Sequence, residues 1–300
     1  MAEFDANCGF QADCLAVSDD GEHLACIGGD GDKCSVSVYS SSSQCVLSSM
    51  QGHTDVVSSV ALQGNLVVSA ARDKTIRLWS LVTGECSGVL HGSNEIVYGL
   101  ALRGDLLFSG EGGKGRARAR LWSISRAEVL AVMQRHTGAI WGTALSADLA
   151  LSASNDKCAR VWLTDGRAGC LAKLGHPEAV FSVSIDGDLV ATGCGDSKVR
   201  LWSLASFQCL RTFEHRGGAN VGVNSFLNNP VHSVRLSGGV LLSGGLEQTI
   251  KLWSLAPGGS CVATLTHGGT VTGLAISRQG GFVASSGGKL KKLVLWSGKG

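Results

Sequence analysis

Along the chain, apolar and polar residues alternate in short runs of four to seven residues, built mainly from Val, Leu, Ile and Ser. VVSSVAL at 56–62, NLVVSAA at 65–71 and TIRLWS at 75–80 follow one another with only short polar turns between them. Runs of this length and period are strands. A helix would need apolar positions three and four apart over a longer stretch, and no such stretch is found. Asp20-Gly21 and Asp186-Gly187 suit tight hairpin turns, where positive φ is cheap for Gly and tolerable for Asp. The pattern predicts an all-β chain.

The runs recur. IRLWS at 76–80, ARLWS at 119–123, ARVWL at 159–163, VRLWS at 199–203, IKLWS at 250–254 and LVLWS at 293–297 are copies of one segment, and SVSVYS at 35–40 is a weaker one. The aromatic positions are Tyr39, Trp79, Trp122, Trp162, Trp202, Trp253 and Trp296, spaced by 40, 43, 40, 40, 51 and 43 residues. Seven units at this period span residues 1–300 and leave no second domain. Units two to seven open near a His, pass through two apolar runs and a polar turn, and end in the Trp run; unit one lacks the His and ends at Tyr39.

The His-to-Trp interval of 26 residues in units two, four and five, with Trp-Ser endings in units two and five and Trp162-Leu163 in unit four, resembles the WD (WD40) repeat family. The resemblance implies one seven-bladed β-propeller with four-stranded blades. The final unit lacks its outer strand, so the N-terminal residues 2–9 are expected to pair with the last blade and close the ring, the first blade starting near Asp13. The units also resemble those of F-box-type ubiquitin-ligase substrate receptors, without an F-box segment.

Composition narrows the function. Lys and Arg number 26 against 24 Asp and Glu, a net charge of +2, so no global pull on nucleic acid or acidic membrane is expected. No apolar run reaches membrane-spanning length, and the N-terminus has no secretory pattern. Eleven cysteines, an odd number without a CxxC, fit a reducing compartment, the cytoplasm or nucleus. Cys45, Cys86, Cys170, Cys209 and Cys261 recur shortly after the aromatic of their unit and read as small buried filler. No metal or other cofactor is expected. Gly110, Gly112 and Gly115 match a dinucleotide-type glycine spacing, but between strands and with no helix to follow.

His53, Ser69, Asp73 and Trp79 look like a hydrolytic triad with a Trp. The set recurs as His136, Ser152, Asp156, Trp162 and as His176, Thr192, Asp196, Trp202. Three identical sites around one ring argue against catalysis, and no enzyme activity is expected. The resemblance implies buried structural tetrads instead. The other units are incomplete: unit one has Tyr39 and no opening His, His91 has no acid in the following turn, unit six has Glu247 in the Asp place and a displaced His215, and unit seven has His267 but Leu290 where the acid should be.

Partner binding is expected on the narrow face, which the resemblance assigns to peptides. Aligned on Ser58, the rim positions of the first strands are Asp13, Ser58, Tyr98, Trp141, Phe181, His232 and Thr272. Four consecutive units, three to six, place a ring there. Arg72, Lys114 and Arg116 should edge the same face, with Arg118 and Arg120 following and Lys289, Lys291 and Lys292 opposite. An insertion at 215–232, with Phe226 and Leu227, leads onto it. The expected function is a scaffold or adaptor, monomeric within a larger complex, holding a protein or peptide partner, acidic or phosphorylated where the basic residues engage it. No small-molecule substrate is expected. The competing reading is an RNA- or ribosome-associated scaffold that uses the Arg-rich turn with nearby rings.

Overall fold

A computed structural model describes residues 2–6, 15–28, 34–43, 45–113, 117–215, 229–277, 282–287 and 292–297. Among these residues every regular element is a strand. The strands form seven four-stranded antiparallel sheets, the blades of a β-propeller. In blade two, Val57–Gln63 is innermost, followed outward by Leu66–Ala71, Ile76–Ser80 and Cys86–Leu90. The other blades repeat this order. The last combines Val271–Ile276, Phe282–Gly287 and Lys292–Ser297 with Ala2–Ala6 from the start of the chain, Ala2 opposite Ser297 and Ala6 opposite Leu293. The first blade begins with Leu15–Val17, and Asp13, where a start was expected, lies outside the described residues.

Burial grades from the inside outward. The second strands are almost wholly buried, as in Leu66–Ala71. That explains their small and β-branched residues: both faces meet a neighbouring blade. The outermost strands open in solvent. This overturns the filler reading of the recurrent cysteines, because Cys45, Cys86, Cys209 and Cys261 are exposed and Cys170 is half-buried. They sit at or beside the first residue of the outer strand, where no further blade covers them. Cys26, Cys158 and Cys194 are the buried ones.

The core is a series of interfaces between blades. Trp79 packs with Ile27, Val38 and Met50 of blade one, and Trp162 with Phe108, Leu121 and Met133 of blade three. Each of these indoles therefore plugs the blade before its own. A further cluster joins Leu15, Leu24 and Tyr39 of blade one to Ala275 and Ala284 of blade seven.

One irregularity repeats. The pairing of innermost and second strands skips a residue between Val57 and Ser59, Val97 and Gly99, Ile140 and Gly142, Val180 and Ser182, Val231 and Ser233, and Val271 and Gly273. A bulge leaves its extra residue unpaired and re-aims the side chain. The skipped residues are Ser58, Tyr98, Trp141, Phe181, His232 and Thr272.

Candidate functional site: the channel mouth

The tetrads fix the turns around this site. In blade two, Trp79 Nε1 donates to Ser69 Oγ at 2.8 Å, and the hydroxyl meets His53 Nε2 at 2.7 Å. His53 Nδ1 then lies 2.8 Å from Asp73 Oδ2, which also accepts from the Thr54 amide at 3.0 Å. Burial holds the His53 imidazole below its ordinary value, against the pull of Asp73, so the ring is neutral and donates through Nδ1. Burial would raise the Asp73 carboxyl, but hydrogen bonds from Thr75 and His53 outweigh it and lower it. Blade four repeats the chain: Trp162 to Ser152 at 2.8 Å, Ser152 to His136 at 2.7 Å and His136 to Asp156 at 2.7 Å. Every member is engaged, as buried polar groups require.

The third expected tetrad does not close. Trp202 and His176 both reach Thr192 Oγ1, at 3.0 and 2.8 Å, but His176 Nδ1 donates to the Leu174 carbonyl at 3.0 Å. Asp196 instead takes both Arg200 terminal nitrogens, at 3.2 and 2.6 Å. A guanidinium fork offers a carboxylate two charge-assisted bonds, which a neutral imidazole cannot match. Burial, with Arg200 nearby, pushes His176 down to about 4.

Elsewhere the scheme is rebuilt from other groups. In blade three His91 is exposed, and a fully buried Glu111 pairs with the buried Arg120. Ser109 still receives Trp122 Nε1 at 2.9 Å. In blade six His215, displaced in sequence, nevertheless reaches Ser243 Oγ at 2.8 Å through Nδ1. Trp253 Nε1 donates to the same oxygen at 2.8 Å. In blade seven His267 Nδ1 donates to the Gly269 carbonyl at 3.2 Å.

Above these supports, the six bulged residues line one cavity of about 220 Å³ at an end of the central channel. The four rings are contiguous. Tyr98 and Trp141 centroids are 4.6 Å apart, Trp141 and Phe181 6.4 Å, and Phe181 and His232 5.2 Å. Trp141 is 37% exposed, the one aromatic among the exposed large apolar side chains of the described residues. The rings lean on one another, and that contact holds them in place while the Trp141 indole stays partly exposed. Burial alone lowers the His232 pKa, which favours the neutral imidazole.

The residue after each bulge is Ser or Gly, and both serve close approach. Ser59, Ser182 and Ser233 hydroxyls accept from the Leu100, Val234 and Leu274 amides of the next blade, each at 3.1 Å. Gly142 brings the Phe181 carbonyl within 2.8 Å of where a Cβ would stand. Ser58 does not offer its hydroxyl to the channel, because it bonds the Ala70 and Val97 carbonyls.

Of the expected basic edge, Arg72 is exposed. Arg120 is withdrawn into the blade by Glu111, so it belongs to no surface patch. Lys114, Arg116, Lys289, Lys291, Asp13, Leu290, Phe226 and Leu227 lie outside the described residues. Gly110 and Gly112 fall within the strand Leu106–Gly112, with Ile140 packed where a Cβ of Gly110 would be. Among the described residues no three His, Cys, Asp or Glu side chains gather as a metal site.

One lining residue carried no weight in the sequence reading. Arg235 follows the bulge of blade six by three residues and lines both the mouth and the cavity beneath it. The same register holds Ala61, Ala101, Ala144, Ser184 and Ala275 in the neighbouring innermost strands, all lining the channel. The signal was present: one long cation in a column of alanine and serine.

Three segments, 43–80, 168–203 and 259–297, match the family model described as WD domain, G-beta repeat. Among known proteins, the chain is 32% identical over 226 residues to nuclear distribution protein PAC1-2 of Uncinocarpus reesii, covering 67% of this chain and 38% of that protein. It is 30% identical over 196 residues to zinc finger CCCH domain-containing protein 17 of Oryza sativa subsp. japonica, covering 63% and 44%. It is 40% identical over 85 residues to bovine pre-mRNA-processing factor 19, covering 27% and 17%. The chain spans less than half the length of these relatives.

Proposed function

This chain is a WD-repeat protein, and we propose that it works as a non-catalytic interaction scaffold that grips a peptide segment of a protein partner at the ring-lined mouth of its channel. The observation that carries this reading is the run of four bulged residues, Tyr98, Trp141, Phe181 and His232, whose rings form one contiguous arc with Trp141 open to solvent. Aromatic anchors held rigidly at the centre of a concave surface are typical energetic centres of interfaces. The exposure of Arg72, taken with its expected place beside the mouth, supports an acidic or phosphorylated segment as the partner's contact.

The same proposal takes the whole chain as one closed seven-bladed ring with the N-terminal strand as its clasp. The pairing of Ala2–Ala6 with Lys292–Ser297 and the cluster shared by the first and last blades support it. It places the protein in a reducing compartment, the cytoplasm or nucleus; none of the described cysteines forms a disulfide. The RNA-scaffold reading is weaker, because Arg120 is buried against Glu111.

The test is affinity capture with mass spectrometry, wild type beside a Trp141→Ala, Phe181→Ala double variant of unchanged melting temperature. Loss of two anchors costs about 2–4 kcal/mol each, enough to empty a micromolar site. A defined protein partner should vanish only with the variant. An identical partner list from both proteins would make the arc an element of packing.

A further inference from the structure

Trp141 differs from the indoles of the repeat. Trp79, Trp122, Trp162, Trp202 and Trp253 each donate the ring N–H to a Ser or Thr hydroxyl of their own blade, at 2.8, 2.9, 2.8, 3.0 and 2.8 Å. Among the described residues nothing accepts from the Trp141 N–H, nor from the Tyr98 hydroxyl beside it, and both side chains line the mouth. The hydroxyls that flank the arc turn back into the protein: Ser58 bonds the Ala70 and Val97 carbonyls, and Thr272 the Ser286 carbonyl. A Tyr or Trp donor covered by a ligand needs an acceptor, because a stranded donor costs its full desolvation. The mouth therefore fits a ligand that brings carbonyl oxygens onto a surface of rings.

Shape narrows the choice. One helical turn, about 5.4 Å long and about 10 Å across, encloses roughly 400 Å³ and already bonds its own carbonyls. The cavity of about 220 Å³ does not admit it. Successive ring planes are tilted by 44°, 48° and 53°, and the rings lean on one another instead of enclosing a space. They form ridges, not a cage for an alkylated ammonium. A polyproline II segment has no internal hydrogen bonds, so its carbonyls are free, and each proline adds a flat apolar ring with no N–H to strand. Taking the mouth as a peptide site, we infer that the segment it holds is proline-rich and bound in the polyproline II conformation. One proline stacks on the partly exposed Trp141 indole, and the Trp141 N–H and Tyr98 O–H donate to carbonyls of the segment. Prolines three residues apart share a face about 9 Å from each other. The steps of 6.4 Å from Trp141 to Phe181 and 5.2 Å from Phe181 to His232 cover that span.

The experiment selects ligands for the full-length protein from a random-peptide display library. The baits are the wild type and the Trp141→Ala, Phe181→Ala variant. Wild-type selections should enrich proline at two positions three residues apart, about tenfold over the input. Replacing either proline by alanine in a selected synthetic peptide should weaken its binding to the wild type about tenfold by fluorescence anisotropy, a readout that needs no folded variant. Tyr98→Phe, which deletes the hydroxyl and keeps the ring, should weaken the same peptide about fivefold at unchanged melting temperature. Selected peptides that need Trp141 and Phe181 but carry no proline, or that bind Tyr98→Phe as tightly as the wild type, would overturn this inference and leave the peptide reading standing. Selections indifferent to Trp141 and Phe181, or yielding no ligand, would remove the peptide reading and this inference with it.

Discussion

His176 and His215 are the residues whose environment most changes their chemistry. Each is pushed down to about 4, first by burial and then by a nearby cation, Arg200 for His176 and Lys251 for His215. In the unfolded chain each has an ordinary value near 6.5, so between 6.5 and 4 the unfolded state binds protons that the folded state refuses. The stability these residues allow is therefore complete above about pH 6.5, declines as pH falls toward 4 and levels off below. Up to about 3 kcal/mol for each is at stake. Melting temperatures taken between pH 7.5 and 4 should fall over that window, and a His176→Gln, His215→Gln variant should show a flatter profile. An equal slope in both proteins would show that the decline arises elsewhere. The Glu111–Arg120 pair gives a second test at this scale. Arg120→Met strands a fully buried carboxylate, whose pKa burial already raises against the pull of Arg120. It should cost about 3–5 kcal/mol in urea unfolding, and Glu111→Leu with Arg120→Met should recover most of that. If the double variant is as unstable as the single one, the pair is not the cause. These residues also show where sequence reading stops. His53 and His136 could be placed because their acid follows at a fixed interval. The diversion of Asp196 to Arg200 could not, since an Arg at the same place in the repeat in blade two, Arg77, makes no such bond with Asp73.

At the level of strands, the bulge is what builds the mouth. An uninterrupted ladder would send Tyr98, Trp141, Phe181 and His232 into the blade interfaces or leave them beside the pairing partner. The skipped pairing turns them into the channel instead. The small residue after each bulge is the complementary requirement, because adjacent innermost strands meet there. At Gly142 a Cβ would stand 2.8 Å from the Phe181 carbonyl, a backbone atom that cannot swing away. Gly142→Ala should therefore cost about 1–3 kcal/mol through displaced backbone, and it should weaken partner capture because it shifts Phe181 itself. Gly187→Ala, at a hairpin tip with positive φ and nothing within 4 Å, is the control: roughly 1 kcal/mol of stability and no effect on capture. Equal effects on capture would mean that spacing between blades does not set the arc. Strand order and the aligned rim positions were legible in the sequence because the repeat carries its own register marks, the Trp and the His. The bulge itself was not legible. A one-residue skip is a property of pairing, and only the recurrent small residue after it leaves a trace. The exposed cysteines were misjudged for a related reason: recurrence reveals a repeated place in the blade, not whether that place faces a neighbour or water.

If the blades close into a ring as proposed, its weakest seam should lie between the first and last blades. Other interfaces are plugged by an indole, such as Trp79 against blade one or Trp162 against blade three. The seam between the first and last blades has Tyr39 in the Trp place and meets Ala275 and Ala284, which contribute little apolar area. The strand Ala2–Ala6 compensates by covalent arithmetic: it belongs to the first blade in sequence and to the last in pairing, so its backbone bonds to Lys292–Ser297 tie the two together. Without it, Lys292–Ser297 becomes a bare edge open to pairing with other chains. Deleting residues 1–12 should lower the melting temperature by on the order of 10 °C, since a few kcal/mol lost from a chain of this size moves the midpoint by 2–4 °C per kcal/mol. The shortened protein should also associate at high concentration in light scattering. Moving residues 1–12 to the C-terminus through a short glycine linker should abolish the association, because Lys292–Ser297 regains its partner, and should restore the melting temperature only in part, because the strand no longer ties the first blade to the last. Partial recovery would therefore separate the two contributions, edge protection from the tie itself. A deletion that melts with the intact chain would show that the ring holds without its clasp.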